Sequence, residues 1–159
     1  MTLAYIALGA NLGDAEGTLR TTMHALGELP GTRLLASSSL YRTAPVGLRN
    51  QPDFINAVVA VDTDYTAAQM LAALFEIEQN FGRQRSVPNA PRTLDLDLLL
   101  HGDETSSNSE LTLPHPRMHE RAFVLAPLAE IAPDLAIPGQ GNVSALLANC
   151  ADQRIQRVE

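Results

Sequence analysis

Apolar residues recur along the chain with two periods, one typical of strands and one typical of helices. Four short apolar runs have strand character: residues 3–9, 32–43, 54–64 and 94–100. Over residues 14–29 and 66–82, apolar side chains recur every three or four positions, which predicts two amphipathic helices. Pro30-Gly31 and Gly82 are typical stop signals for them. The predicted order is therefore strand, helix, strand, strand, helix, strand.

This order is the βαββαβ pattern of a ferredoxin-like α+β fold, an antiparallel sheet with helices on one face. Three features follow as C-terminal additions: a polar loop at 102–110, a short LTLP segment, and helical stretches near 116–131 and 142–149. The chain has no internal repeat and no linker long enough to divide it. We therefore expect one domain over residues 1–159, a length that allows a sizeable core.

The last strand of the pattern, LDLDLLL, carries an unusual pair of acidic residues. Four leucines alternate along it and are predicted to share the buried face: Leu94, Leu96, Leu98 and Leu100. Asp95 and Asp97 then project from the opposite face, about 6.6 Å apart. Like charges in this position repel unless a cation lies between them. In a typical Mg²⁺ site the protein supplies one or two carboxylate ligands, and water and phosphate supply the rest. A metal site is favoured over a strand face that is merely polar.

The charged residues restrict the class of protein. A net charge of −7 argues against a general nucleic-acid binder. All eleven basic residues are Arg, so a P-loop lysine and the catalytic lysine of protein kinases are excluded. Arginine must therefore bind any phosphate, and its planar fork suits phosphate oxygens. Five of the eleven lie close together in the sequence: Arg83, Arg85, Arg92, Arg117 and Arg121.

The sequence has no feature of a membrane or secreted protein. No apolar run reaches the roughly 18 residues that a membrane span needs. The N-terminal stretch MTLAYIALGANLGD has no basic leader before an apolar segment, so we expect no signal peptide. Cys150 is the single cysteine, which rules out an internal disulfide and fits a reducing compartment. A cytoplasmic protein without a membrane partner is expected.

The loop before the acidic strand, GRQRSVPNAPRT (82–93), holds three arginines within ten residues. One arginine after a helix is explained by the helix dipole, but three are not. The composition favours a mobile segment that brings positive charge onto a phosphate chain.

The segment LPHPRMHERAF places His115 and His119 four residues apart. A zinc site is disfavoured, because the glutamate does not lie between the histidines and Pro116 places His115 at the entrance of a helix. The favoured interpretation is an anion site, with His115 at a helix N-terminus and Arg121 beyond it.

Other interpretations stay open from the residues alone. The stretch 41–56 fits a crossover loop, but it also fits a planar pocket in which Asn56 meets the edge of a heterocycle and Phe54 its face. An Asp-x-Asp pair also occurs in glycosyl- and nucleotidyltransferases that hold a metal on a nucleotide. A ligand-sensing module without catalytic activity is a further alternative.

Taken together, these segments resemble the 6-hydroxymethyl-7,8-dihydropterin pyrophosphokinase family of the folate pathway. The resemblance runs nearly end to end, through YIALGANLGD, YRTAPVG, QPDFINAV, EIEQNFGRQR, PRTLDLDLLLHG and LTLPHPRMHERAFVLAPLAEIAP. The combination of PRTLDLD with the downstream PHPRMHERAFVLAPLAEIAP is very specific. The family's fold is a ferredoxin-like α+β domain with additions, which agrees with the pattern above.

The resemblance implies transfer of a pyrophosphoryl group from ATP to the hydroxymethyl oxygen of the pterin, with AMP leaving. ATP and 6-hydroxymethyl-7,8-dihydropterin are the implied ligands of a monomeric enzyme. Asp95 and Asp97 match the pair that holds two Mg²⁺ ions, and Arg83 and Arg92 match the catalytic loop arginines. The matches to the ATP site are Glu78, Arg85, Thr112, His115 and Arg121. The matches to the pterin pocket are Thr43, Val46, Phe54, Asn56 and Phe123.

One departure from the family pattern lies in the arginine-rich loop. Asn89-Ala90 stands where well-known members carry Trp-Gly, just before the Pro-Arg of the loop. We therefore expect the loop to close less tightly over the substrates than in those members.

Overall fold

The computed structural model describes residues 1–44, 50–81 and 93–158. Six sequence positions with predicted roles lie outside the described residues: Val46, Arg83, Arg85, Asn89, Ala90 and Arg92.

The described chain contains ten strands and four α-helices. The strands are β1 (Thr2–Ala10), β2 (Thr32–Ser37), β3 (Leu40–Thr43), β4 (Phe54–Thr63), β5 (Asp95–His101), β6 (Ser106–Asn108), β7 (Leu111–Leu113), β8 (Ala136–Ile137), β9 (Gly141–Asn142) and β10 (Ile155–Val158). The helices are α1 (Ala15–Gly27), α2 (Ala67–Asn80), α3 (Ala122–Ile131) and α4 (Val143–Ala148), with a 3₁₀ turn at Met118–Glu120. No helix among them is long and apolar enough to cross a membrane.

Six strands form one antiparallel sheet in the order β10-β3-β4-β1-β5, and β2 also pairs with β4. The predicted ferredoxin-like α+β arrangement is confirmed. The run 32–43, expected as one stretch, is two strands that pair with successive parts of β4. The interruption lies at Ser38, whose Oγ accepts a hydrogen bond from the N–H of Val58 at 2.9 Å. β6–β7 and β8–β9 are separate two-stranded hairpins.

Both faces of the sheet are covered, whereas the sequence predicted helices on one face. Leu19 of α1 and Met70 of α2 pack with Ile6 in the first core. Leu125 of α3 packs with Tyr5 and other residues of the opposite face in a second core, to which α4 also contributes. The C-terminal additions therefore complete the fold, because they bury the second apolar face of the sheet.

The alternation of leucines in β5 is interrupted by a bulge. Leu98 pairs with Ile6, but Leu100 pairs with Tyr5, so Leu99 is an extra residue in the ladder. Leu94, Leu96 and Leu98 belong to the first core as predicted. The prediction for Leu100 was wrong, because the bulge turns Leu100 into the second core.

The first two helices begin at the predicted caps. The side chain of Asp14 accepts a hydrogen bond from the N–H of Gly17, and Thr66 forms a reciprocal capping box with Gln69. The expected helical stretch 116–131 is a 3₁₀ turn followed by α3, which begins at Ala122. β6 within the expected polar loop, and β10 near the C-terminus, were not predicted.

Candidate active site

A cavity of about 390 Å³ lies on the sheet face that α3 covers. Its floor is formed by β1, β3, β4 and β5, and its wall by the segment that enters α3. The floor residues with functional groups or unusually small side chains are Ala7, Gly9, Thr43, Phe54, Asn56, Asp95 and Asp97. The wall contributes Arg117, Arg121 and Phe123, and Gln153 of the C-terminal segment lines the cavity beside them.

The register of three neighbouring strands places an amide and a carboxylate on either side of a glycine. Gly9 of β1 pairs with Asn56 of β4 on one side and with Asp95 of β5 on the other. Directly paired residues point to the same face of a sheet, so both side chains face the cavity. A Cβ atom on Gly9 would lie 3.2 Å from Asn56 Oδ1, so the glycine is needed for this close approach.

Asp95 and Asp97 lie on the cavity floor, as the alternation predicts. Ala7 pairs with Asp97, so the neighbouring position on β1 is again small. The side chain of Asp97 is 38% exposed, and its Oδ1 lies 3.8 Å from Nε2 of His115. Two oxygen donors that open onto a cavity fit a hard cation that keeps water and phosphate ligands. Among the described residues, no group of three or more His, Cys, Asp or Glu side chains could hold a metal.

Among the described residues, Arg117 and Arg121 line the same cavity as the two aspartates, and His115 lies near Asp97. Burial lowers the pKa of His115, and the positive charge of Arg121 lowers it further. The negative charge of Asp95 acts in the opposite direction but does not cancel these two effects. Burial also lowers the pKa of Arg121, against the opposing charge of Asp97. His115 is therefore mostly neutral at pH 7, while Arg121 stays charged because arginine titrates far above neutrality.

The predicted position of His115 at a helix entrance is wrong. Its N–H donates to the carbonyl of Leu99, and the 3₁₀ turn separates it from α3. The residue at the N-terminus of α3 is Arg121, which is the N-cap. His115 therefore approaches Asp97 from a turn fixed to β5, and α3 presents Arg121.

Four of the five residues predicted for a heterocycle pocket, Thr43, Phe54, Asn56 and Phe123, line the same cavity, and Val46 lies outside the described residues. Asn56 Nδ2 donates a 2.9 Å hydrogen bond to Thr43 Oγ1, and Asn56 is buried. Phe54 and Phe123 both line the cavity, and Arg121 Cζ lies 5.3 Å from the Phe123 ring centroid. Asn56 belongs to a central strand, so the crossover-loop interpretation does not apply to it.

Three residues predicted for the ATP site are not among the described residues that line the cavity: Glu78, Thr112 and His115. Glu78 of α2 is 2% exposed, and its Oε2 accepts a 2.8 Å hydrogen bond from the N–H of Leu96. It therefore contacts the acidic strand from behind, between the two aspartates. Thr112 of β7 donates from Oγ1 to the carbonyl of Asn108 at 3.0 Å.

Sequence reasoning missed seven of the described residues that line the cavity: Ala7, Leu8, Gly9, Ala44, Arg117, Val124 and Gln153. The small residues of β1 had a signal, because an alanine and a glycine alternate with Leu8 in the first strand. Arg117 had a weaker one in the clustering of arginines. Gln153 had none, because it lies far from every motif.

Comparisons with known proteins identify close relatives. A family model described as 7,8-dihydro-6-hydroxymethylpterin-pyrophosphokinase (HPPK) matches residues 5–133. The chain is 41% identical over 155 residues to the 2-amino-4-hydroxy-6-hydroxymethyldihydropteridine pyrophosphokinase of Haemophilus influenzae, covering 98% of this chain and 97% of that protein. It is 44% identical over 154 residues to the protein of the same name from Pseudomonas aeruginosa, covering 97% and 95%.

Solved structures agree on the fold. A crystal structure of wild-type Plasmodium falciparum HPPK-DHPS with SDX-DHP matches with a TM-score of 0.74 at 16% identity. The match covers 96% of this chain but 44% of that one, so the chain spans less than half of the longer protein. At this level of identity the likeness supports the fold alone.

Proposed function

Because the chain belongs to the 7,8-dihydro-6-hydroxymethylpterin-pyrophosphokinase family, we propose that the cavity under α3 is its active site. The protein is an ATP-dependent diphosphokinase that transfers pyrophosphate to 6-hydroxymethyl-7,8-dihydropterin in folate biosynthesis. One observation carries the location of the site: the row Asn56, Gly9 and Asp95 across three paired strands. It places a group suited to a heterocycle beside a group suited to a metal.

The pterin is proposed to bind at the end of the cavity that contains Asn56. The amide of Asn56 offers both a donor and an acceptor to the edge of a ring, and Thr43 fixes its orientation. Phe54 and Phe123 provide apolar faces for the ring. Val46 belongs to the same proposal from the family resemblance alone.

Asp95 and Asp97 are proposed to hold two Mg²⁺ ions. Their carboxylates are hard oxygen donors that line a cavity with room for phosphate and water ligands. When bound, Mg²⁺ neutralises charge on the triphosphate. Glu78 supports this part of the site, because its bond to the N–H of Leu96 fixes the backbone between the two aspartates.

The triphosphate is proposed to lie between the aspartates and the entrance to α3. Arg121 and Arg117 offer guanidinium groups there, and His115 lies near Asp97. Arg85 and Thr112 remain ATP-binding proposals from the resemblance. Attack by the hydroxymethyl oxygen on the β-phosphorus of ATP forms one P–O bond and breaks the bond to AMP. The chain then contributes mainly positioning and charge.

The reaction is tested by mixing the protein with ATP, Mg²⁺ and 6-hydroxymethyl-7,8-dihydropterin and measuring AMP and the pterin pyrophosphate. We expect equal amounts of the two products. Asp95→Asn should reduce turnover by about a hundredfold or more, as for loss of a preorganised charge. Asp103→Asn is the matched control, because Asp103 is exposed and lies beyond the end of the same strand. Equal turnover by the two variants would remove Asp95 from the metal site.

The loop arginines Arg83 and Arg92 are proposed to be catalytic, acting on charge that develops as the P–O bond breaks. Their replacement by Ala should lower kcat by about a hundredfold or more and change the Kd of Mg·ATP little. Loss of ATP affinity with kcat retained would make them binding residues instead.

We also propose that residues 1–159 act as one domain and as a monomer in the cytoplasm, without a nucleic-acid or membrane partner. The buried, free Cys150 supports a reducing compartment. Light scattering tests the oligomeric state, and a second species at twice the mass would contradict it.

A further inference from the structure

The first turn of α3 has no side-chain cap from its own N-cap residue. The first N–H groups of a helix have no partner within the helix, and a side-chain oxygen at the N-cap usually accepts one of them. Here the N-cap is Arg121, whose side chain has no acceptor, and it makes no capping hydrogen bond. The guanidinium instead lines the cavity.

A residue from the C-terminal segment supplies the missing contact. The N–H of Ala122 donates to Gln153 Oε1 at 2.9 Å, and Gln153 Nε2 donates to the carbonyl of Glu120 at 2.8 Å. The two bonds therefore hold the backbone on both sides of Arg121, which is extended at φ −117° and ψ 112°. Gln153 acts as an N-cap from 31 residues away.

The same segment is also fastened to the floor of the cavity. Immediately after Gln153, β10 pairs with β3, and Ile155 lies opposite Thr43. Thr43 is the acceptor for the amide of Asn56. The stretch from Gln153 to Ile155 therefore connects the wall that carries Arg121 to the strand that orients Asn56.

We propose that Gln153 is a positioning residue of the active site, which fixes Arg121 for the phosphates by capping α3 in its place. The identity of the ligand in this inference, Mg·ATP, rests on the proposed function of the cavity. The capping of α3 by Gln153 does not depend on that function. Gln153 lies outside residues 5–133, the part of the chain that the family model matches. A residue that is not part of the family motif therefore determines how a motif residue is held.

The test compares Gln153→Met with Gln156→Met. Methionine keeps the length of the side chain but cannot make either bond, and Gln156 is an exposed residue of the same segment. Hydrogen exchange of the Ala122 amide should accelerate in Gln153→Met and stay unchanged in the control. The Kd of Mg·ATP should rise roughly two- to tenfold in Gln153→Met, the range for one weakened hydrogen bond between Arg121 and the phosphates.

A double-mutant cycle shows whether Gln153 acts through Arg121. In an Arg121→Ala background, Gln153→Met should leave the Kd of Mg·ATP unchanged, because the group that it positions is gone. An equal loss of affinity in both backgrounds would overturn the proposal. So would a lower thermal unfolding midpoint with unchanged affinity, since Gln153 would then be a stabilising contact only.

Failure of the cap and failure of the proposed function are distinguishable. If the unmodified protein did not bind Mg·ATP, the assignment of the cavity would be wrong. Exchange of the Ala122 amide would still decide whether Gln153 caps α3. Unchanged exchange in Gln153→Met would overturn the proposal whatever the ligand.

Discussion

Replacing Gly9 with Ala tests the geometry of the pterin end more directly than removing any polar group. Gly9 is paired with both Asn56 and Asp95, and a Cβ atom there would lie 3.2 Å from Asn56 Oδ1. Ordinary van der Waals contact begins near 3.4 Å, so Asn56 must move by a few tenths of an ångström. That movement strains its 2.9 Å hydrogen bond to Thr43 and turns the amide away from the ring.

The magnitude follows from one weakened hydrogen bond. A net value of about 0.5–1.5 kcal/mol corresponds to a roughly two- to tenfold weaker Kd for the pterin. The Kd of Mg·ATP should change by less, since Ala at this position meets no phosphate-binding side chain within 4 Å. The fold should tolerate the change, because Ala loses less conformational entropy in a strand than Gly.

Gly27→Ala provides a matched control for the same substitution. Its added Cβ would lie 3.2 Å from Leu34 Cβ, which is as close as the contact at Gly9, but at the end of α1 away from the cavity. Calorimetric titration of 6-hydroxymethylpterin, with a non-hydrolysable Mg·ATP analogue present, measures the effect. Unchanged pterin affinity in a folded Gly9→Ala protein would refute the role assigned to Asn56.

Three further predictions concern charge. The pKa of His115 is lowered in the free protein, so binding of the triphosphate near pH 6.5 should make His115 take up a proton. Calorimetric titrations of Mg·ATP in two buffers should therefore show less proton uptake for His115→Gln than for the unmodified protein. Equal proton uptake by the two proteins would contradict this. Arg117→Gln should weaken Mg·ATP binding roughly three- to tenfold, whereas exposed Arg154→Gln should not. Although burial alone would raise the pKa of Glu130, hydrogen bonds from Tyr41 and its other neighbours lower it. A carboxyl group whose pKa is lower in the folded protein stabilises the fold above its unfolded-state pKa, and this stabilisation is lost as the pH falls. Glu130→Gln should therefore flatten the decline in the free energy of unfolding between about pH 5 and pH 3. An unchanged slope of unfolding free energy against pH would argue against this role of Glu130.

The sequence by itself determined the positions of α1 and α2 between strands, the class of the fold and the acidic pair. These features depend on residues close together in the chain: the period of the apolar positions, the caps Asp14 and Thr66, and the alternation that places Asp95 and Asp97 on one face. The family motifs are equally local. Local patterns can therefore be read without knowing which strands pair.

Only the tertiary structure decided which side chains meet in the cavity. The contact of Asn56 with Gly9, and of Gly9 with Asp95, depends on the register of strands far apart in sequence. The bulge at Leu99 shifts that register by one residue, which turns Leu100 to the other face. The bond of Gln153 to the start of α3 joins residues 31 positions apart. Periodicity carries no information on such pairings, because they are fixed by how the layers pack.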